Sequence, residues 1–188
     1  MTTSAGAGRA LPSSTTVVVM GVSGSGKTTV AQALSSRLGW PFAEGDDFHP
    51  PANIEKMRSG RPLDDADRQP WLQAVADWVG AQERHGLSAV ITCSALKRGY
   101  RDRLRAGHPS IWFAHVTASA ETIADRLSSR RGHYMPPSLL ASQLSTLEPL
   151  GEDEPGASVD DSGSVDDAVI TLVTRLRAER PLVPRPAS

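Results

Sequence analysis

Residues 21–28, "GVSGSGKT", have the residue types and spacing needed to hold a chain of phosphates. The segment fits G-x-x-x-x-G-K-[ST] in full, the Walker A pattern, between an apolar run and a helical pattern. Its glycines let backbone N–H groups approach phosphate oxygens, and the helix N-terminus adds partial positive charge. Lys27 can reach the β- and γ-phosphates, and the Thr28 hydroxyl can ligate Mg²⁺. We therefore predict a nucleoside triphosphate site with contacts from Gly21, Val22, Ser23, Gly24, Ser25, Gly26, Lys27, Thr28 and Thr29.

A second group of reactive side chains lies in "EGDDFHP", residues 44–50. In an open parallel sheet, residues just beyond the carboxyl ends of the strands face the crevice where ligands bind. Glu44, Asp46, Asp47 and His49 are therefore expected near the γ-phosphate. Carboxylates there suit the deprotonation of a hydroxyl or the holding of Mg²⁺-bound waters. This favours transfer of a phosphoryl group, and a regulatory module that only binds ATP stays the alternative from another class.

These segments need a scaffold, and the hydrophobic pattern indicates an α/β protein. Apolar runs predict strands at 15–20, 40–45, 88–95, 110–116 and about 157–161. Helical patterns lie between them at 28–38, 53–60, 65–86, 97–106, 119–130, 137–148 and 165–179. Alternation of this kind predicts a parallel sheet with helices on both faces. We expect one domain over 15–180, with tails at 1–14 and 181–188.

Composition excludes several classes of protein. The 188 residues carry a formal net charge of −1, which argues against general binding to nucleic acid or to a membrane surface. Cys93 is the single cysteine, so no internal disulfide can form. No apolar run approaches the roughly 20 residues that span a bilayer. We expect a cytoplasmic protein.

Four blocks together resemble the gluconokinases of the small P-loop type. They are "GVSGSGKTT", "GDDFHPPANIEKMRSGRPLDDADRQPWL", "CSALKRGYRDRLR" and "RRGHYMPPSLLASQLSTLE". The resemblance implies the three-layer fold of nucleoside-monophosphate and shikimate kinases, with a parallel five-stranded sheet and a mobile lid at about 126–137. It implies phosphorylation of D-gluconate at the 6-hydroxyl with ATP and Mg²⁺, and it leaves a homodimer open. A kinase for shikimate or a related sugar acid is the alternative among enzymes.

Residue roles follow from the residues and the resemblance together. The expected catalytic residues are Lys27, Asp46 as the general base and Arg130 from the lid. Asp47 is the rival base, and Arg126 is the second choice among lid arginines for contacting ATP beside Arg130. Glu44 stands where similar kinases have Asp, so its reach to Mg²⁺ through water is open. Expected substrate contacts are Asp46, Asp47, His49, Lys56, Arg68, Lys97, Arg101 and His133.

Overall fold

The structure is a computed structural model that describes residues 14–129, 138–161 and 163–180. The strands are β1 (Thr16–Met20), β2 (Phe42–Ala43), β3 (Ala89–Thr92), β4 (Ile111–Thr117) and β5 (Gly156–Asp160). The helices are α1 (Lys27–Leu38), α2 (Pro51–Arg58), α3 (Asp65–Arg84), α4 (Arg98–Arg105), α5 (Ala120–Ser129), α6 (Ser138–Thr146) and α7 (Val165–Glu179). A short 3₁₀ turn, Gly45–Phe48, follows β2.

The five strands form one parallel sheet in the order β2-β3-β1-β4-β5. Thus β1 is central, with β3 on one side and β4 on the other. Val18 is in register with Ile91 of β3 and with Phe113 of β4. The connection after β1 runs to the β3 side of the sheet, whereas the connection after β3 crosses to β4 on the other side, so a crevice opens at the carboxyl ends of these strands. The predicted α/β class and parallel five-stranded sheet are confirmed.

The strands are apolar on both faces because helices cover both. Val17 and Val19 pack with residues of α1 and α7, including Leu34 and Leu172. Val18 and Met20 face the other way, toward Trp71 of α3 and the buried side chains of α4. Alternate side chains of one strand therefore serve two separate cores, which gives the three layers and fixes the ends of the strands relative to the helices.

The second strand is shorter than predicted. Residues 40–45 were expected to be extended, but β2 covers only Phe42–Ala43, and the chain turns at Gly45. The helix after it begins at Pro51 and ends at Arg58, two residues earlier than predicted at each end. Proline is favoured in the first helical turn because its missing N–H would be unpaired there anyway. Among the described residues, no helix has the length and apolarity needed to cross a membrane.

Several predicted features lie outside the described residues. These are residues 130–137 of the expected lid, with Arg130 and His133, and most of the two expected tails.

Candidate active site

The loop between β1 and α1 takes the shape that its glycines permit. Gly26, the residue before α1, has φ of 92°, and a Cβ there would lie 2.2 Å from Oδ2 of Asp161. Lys27 is the first residue of α1, and its Nζ donates to the carbonyl of Val22 across the loop at 2.9 Å. The loop therefore brings an ammonium group and the N-terminus of a 12-residue helix to one point.

Glu44 connects the phosphate loop to the neighbouring strand end. Its Oε2 accepts a hydrogen bond from Thr28 Oγ1 at 3.0 Å, and its Oε1 accepts one from Thr92 Oγ1 at the end of β3. A hydroxyl and a carboxylate thus meet at the carboxyl edge of the sheet. Hard oxygen donors of this kind fit Mg²⁺, which proteins usually hold through one or two such groups together with substrate phosphates.

Gly45 fixes the start of the turn that carries the two aspartates. Its N–H donates to Thr92 Oγ1 at 2.9 Å, and its carbonyl accepts from Trp71 Nε1 at 2.7 Å. A Cβ at this position would lie 1.8 Å from the carbonyl oxygen of Thr92, so only glycine fits. The side chains of Asp46 and Asp47, which come next, both reach the large cavity described below.

His49 is a buried neutral imidazole at the end of this turn. Its ring stacks on Trp71 with centroids 4.3 Å apart, and its Nδ1 lies 3.4 Å from Nδ2 of Asn53. Burial lowers the pKa of His49 from 6.5 to about 4. The charge of Arg68 lowers this pKa further, whereas the charge of Asp46 raises it in part. Its Nε2 lies 4.0 Å from Oδ1 of Asp46, whose side chain is 76% exposed. His49 therefore borders the cavity as an uncharged polar group.

A cavity of about 870 Å³ adjoins the phosphate loop. On one side it is lined by Ser23 and Lys27 of the loop, and on the other by Asp46 and Asp47. Its remaining walls come from the end of the aspartate turn, α2, the α2–α3 connection, α3, the β3–α4 connection, α4 and α6. The other lining residues are His49, Ile54, Met57, Pro62, Leu63, Asp64, Asp65, Ala66, Arg68, Ser94, Leu96, Lys97, Tyr100, Ser142, Gln143 and Thr146.

Two predicted cations, Arg68 and Lys97, line this cavity near the ring of Tyr100. The Arg68 guanidinium lies 5.8 Å from the centroid of the Tyr100 ring and Lys97 Nζ lies 5.4 Å from it. Lys97 is neutralised by Asp65, with Nζ to Oδ1 at 2.7 Å, and Tyr100 donates its hydroxyl to the same carboxylate. Within the described part of the chain, Arg68 forms no ion pair.

The other two predicted cations do not reach the cavity. Lys56 bonds Asp64 at 3.3 Å and also Asp67, and so ties α2 to the start of α3. Arg101 is fully buried and pairs with Glu154, which is also fully buried, with Nε to Oε1 at 2.7 Å. The prediction that Arg101 binds substrate disagrees with this position, because its guanidinium is enclosed by protein.

Arg126 lies beside the phosphate loop rather than on the acceptor side, which is the side of the cavity lined by Asp46 and Asp47. Its Nη1 donates to Oδ2 of Asp161 at 2.7 Å and its Nη2 to the Asp161 carbonyl at 3.2 Å. A Cβ added at Gly26 would be 3.3 Å from Nη1. Arg126 therefore lies next to the phosphate loop, and its contact with ATP stays a prediction.

Some residues at the site were not predicted. Thr92 could have been found, because a polar residue that ends a buried strand at the carboxyl edge of a parallel sheet faces the crevice. Asp65, Tyr100 and Gln143 carry no such local signal. Gln143 accepts a hydrogen bond from the N–H of Ser23 at 2.7 Å, from 120 residues further along the chain.

Known proteins are similar to this chain over most of its length. A family described as AAA domain matches residues 17–150. The gluconokinase of Gluconobacter oxydans (strain 621H) is 54% identical over 163 residues, which cover 87% of this chain and 92% of that protein. The structure of a sugar kinase from Janibacter sp. HTCC2649 has a TM-score of 0.83 and 51% identity, covering 87% of this chain and 94% of that one.

A gluconokinase structure from Sinorhizobium meliloti 1021 is also similar, with a TM-score of 0.79 and 41% identity. It covers 91% of this chain and 95% of that chain. The residues that the family model matches, 17–150, include the phosphate loop, the aspartate turn and the walls of the cavity. The chain belongs to the gluconokinase family.

Proposed function

We propose that the protein transfers the γ-phosphoryl group of ATP to the 6-hydroxyl of D-gluconate, giving 6-phospho-D-gluconate and ADP. One observation carries the proposal beyond family membership. A single cavity is lined by the phosphate-loop lysine Lys27, by the exposed carboxylate Asp46 and by the cation Arg68. These are the groups that an anionic polyol and a triphosphate need when they react with each other.

The donor side binds and neutralises phosphate charge. Lys27 leaves its contact with Val22 and turns toward the β- and γ-oxygens, while the N–H groups at the start of α1 point at the same phosphates. Thr28, through its hydroxyl, and Glu44, through water, would hold Mg²⁺. A bound ion would supply positive charge against the β- and γ-phosphates. Arg126 contacts the nucleotide beside Gly26.

Asp46 takes the proton from the 6-hydroxyl. Its carboxylate is exposed to the cavity, and the backbone before it is fixed by the contacts of Gly45. A base within hydrogen-bond reach of the hydroxyl typically contributes about 10²- to 10⁴-fold to the rate. Asp47 lines the same cavity and remains the rival.

Arg68 binds the carboxylate of gluconate. Lys97 already has Asp65 as its partner, and the hydrogen bond with Asp65 raises the pKa of Lys97 above its ordinary value. Arg68 has no such carboxylate among the described residues, so its planar guanidinium is available for bidentate binding. Asp65, Lys97, Tyr100 and His49 then bond the hydroxyls between the two ends of the substrate.

The function is tested by measuring ADP release with Mg²⁺-ATP and a panel of acceptors. The panel holds D-gluconate, other sugar acids, shikimate and an uncharged hexose. We expect turnover with gluconate and little with the hexose, which offers Arg68 no anion. Turnover with shikimate but not gluconate would support the other kinase, and ATP binding without any turnover would support a regulatory module. A cytoplasmic location and a homodimer remain predictions.

A further inference from the structure

Among the described side chains of α6, a stripe of residues packs against the rest of the protein. Leu140 and Gln143 of the helix and Leu147, the residue just after it, follow one another at spacings of three and four residues, which places them on one side. The two leucines pack against a small cluster of buried side chains formed by Val22, Leu96 and Ile123. Between them lies Gln143, which is only 8% exposed.

A glutamine in the middle of an apolar contact requires a reason. Burying an amide without a hydrogen-bond partner is costly, so an aliphatic residue would be the simpler choice for docking alone. Gln143 instead places its Oε1 2.7 Å from the backbone nitrogen of Ser23 and accepts its N–H. Ser23 and Gln143 both line the cavity, at the border between the phosphate loop and the acceptor side.

The end of α6 is fixed to the wall of the cavity. The N–H of Glu148 donates to the carbonyl of Leu96 at 2.8 Å, and Arg101 Nη1 donates to the carbonyl of Glu148 at 3.0 Å. Because Leu96 is itself buried and lines the cavity, α6 cannot shift without moving this wall. Gln143, which accepts the Ser23 N–H, thus lies on a helix whose C-terminal end is fixed by hydrogen bonds.

We infer that Gln143 is a positioning residue for phosphoryl transfer, which holds the phosphate loop at Ser23 in the shape that binds ATP. The inference rests on the proposed function, because it assigns a role within that same site. Gln143 acts through the loop backbone, so its replacement is expected to weaken the binding of ATP and to lower kcat/KM for ATP. The binding of gluconate, which depends on Arg68 and its neighbours, is expected to stay nearly unchanged.

The test replaces Gln143 with methionine, which has nearly the same length but accepts hydrogen bonds poorly, and with asparagine, which is too short to reach Ser23. The matched control is Gln73→Met, because Gln73 is an exposed glutamine on α3 that bonds Asp77. Steady-state kinetics give kcat/KM for ATP and KM for gluconate. Calorimetry gives the Kd of a non-hydrolysable ATP analogue, and thermal melts check folding.

We expect kcat/KM for ATP to fall about tenfold in both Gln143 variants, the effect of one lost hydrogen bond to the loop backbone. The Kd of the analogue should rise in parallel, with the KM for gluconate within about twofold and Tm within about 4 °C of the parent. Gln73→Met should match the parent. Unchanged analogue binding and kcat/KM in both variants, or a defect confined to gluconate, would overturn the inference. Analogue binding needs no gluconate, so a failure of the proposed function in the parent protein would be seen separately.

Discussion

The buried ion pair between Arg101 and Glu154 offers the largest single change in stability that this structure predicts. The guanidinium makes six hydrogen bonds, two of them to Glu154 at 2.7 and 2.8 Å. Its other acceptors are four main-chain carbonyls, those of Ala95, Leu96, Glu148 and Pro149. Both side chains have no exposed surface. One cation therefore joins the β3–α4 connection to the segment between α6 and β5.

Glu154→Leu leaves the guanidinium buried without its counter-charge, which typically costs about 3 to 5 kcal/mol of unfolding free energy. Arg101→Met leaves the carboxylate buried instead and also leaves the four carbonyls without this donor, which adds about 1 to 3 kcal/mol. The total loss for Arg101→Met approaches the whole unfolding free energy of an ordinary domain, about 5 to 15 kcal/mol. Arg101→Met is therefore expected to be the more damaging change, and the double variant should be more stable than Arg101→Met alone.

Urea unfolding followed by tryptophan fluorescence measures these differences, because Trp71 and Trp112 are fully buried. The matched control is Asp153→Ala, which breaks an equally short bidentate pair with Arg98 on an exposed surface. Water replaces a partner there, so its effect should be far smaller. Equal urea midpoints for Glu154→Leu and Asp153→Ala would refute the reasoning. The KM for gluconate should be unchanged in folded Glu154→Leu, since the pair lies outside the cavity.

Three further predictions concern the site itself. Lys27→Ala should lower kcat by more than about 10²-fold, because a cation that stabilises charge on the transferred phosphoryl group is lost, and ADP release measures this. Asp46→Asn should lower kcat by about 10²- to 10⁴-fold, and Asp47→Asn far less, in the same assay. The pKa of His49 is 6.5 in the unfolded chain and about 4 in the folded protein. The unfolding free energy that depends on neutral His49 is therefore fully present above pH 6.5 and falls by about 3 kcal/mol as the pH falls to 4. Urea midpoints measured across this pH range should show the loss, and His49→Gln should remove it.

Each of these has a clear contrary result. Near-normal kcat in folded Lys27→Ala would take the lysine out of the mechanism. A large loss of kcat in Asp47→Asn beside an active Asp46→Asn would identify Asp47 as the base. Small effects on kcat in both variants would mean that positioning and Mg²⁺ account for the rate. A pH profile that is the same with and without His49 would mean that its imidazole is solvated in the folded protein.

The sequence predicted the features that depend on neighbouring residues. A valine run followed by a glycine-rich loop and Lys27 specifies strand, loop and helix within about a dozen residues, since each step follows from local conformational preference. The carboxyl-edge rule likewise brought Glu44 and Asp46 to the crevice without any knowledge of tertiary contacts. Polar residues beyond strand ends are predictable because a parallel sheet gathers all such ends on one edge.

Features that depend on distant partners could not be predicted. Arg101 lies in a run of basic residues typical of a surface helix, and its burial follows from Glu154, which is 53 residues away. The early end of β2 depends on Thr92 and Trp71, which fix Gly45 from two other elements. Gln143 looks like an ordinary helical glutamine until Ser23 is found opposite it.

The double attachment of Gly45 has a consequence for how the protein loses activity on heating. Loops usually open locally at little cost, whereas central strands exchange their amide hydrogens only when the whole domain unfolds. The N–H of Gly45 donates to the Thr92 side chain of interior strand β3, and its carbonyl accepts from the Trp71 side chain of α3. We therefore expect this turn to open only together with these two elements, although it looks like a loop. Its amide should exchange as slowly as those of β1 and β3. The carboxylate of Asp46 would then keep its place until global unfolding, and thermal inactivation would not begin at the acceptor side of the site.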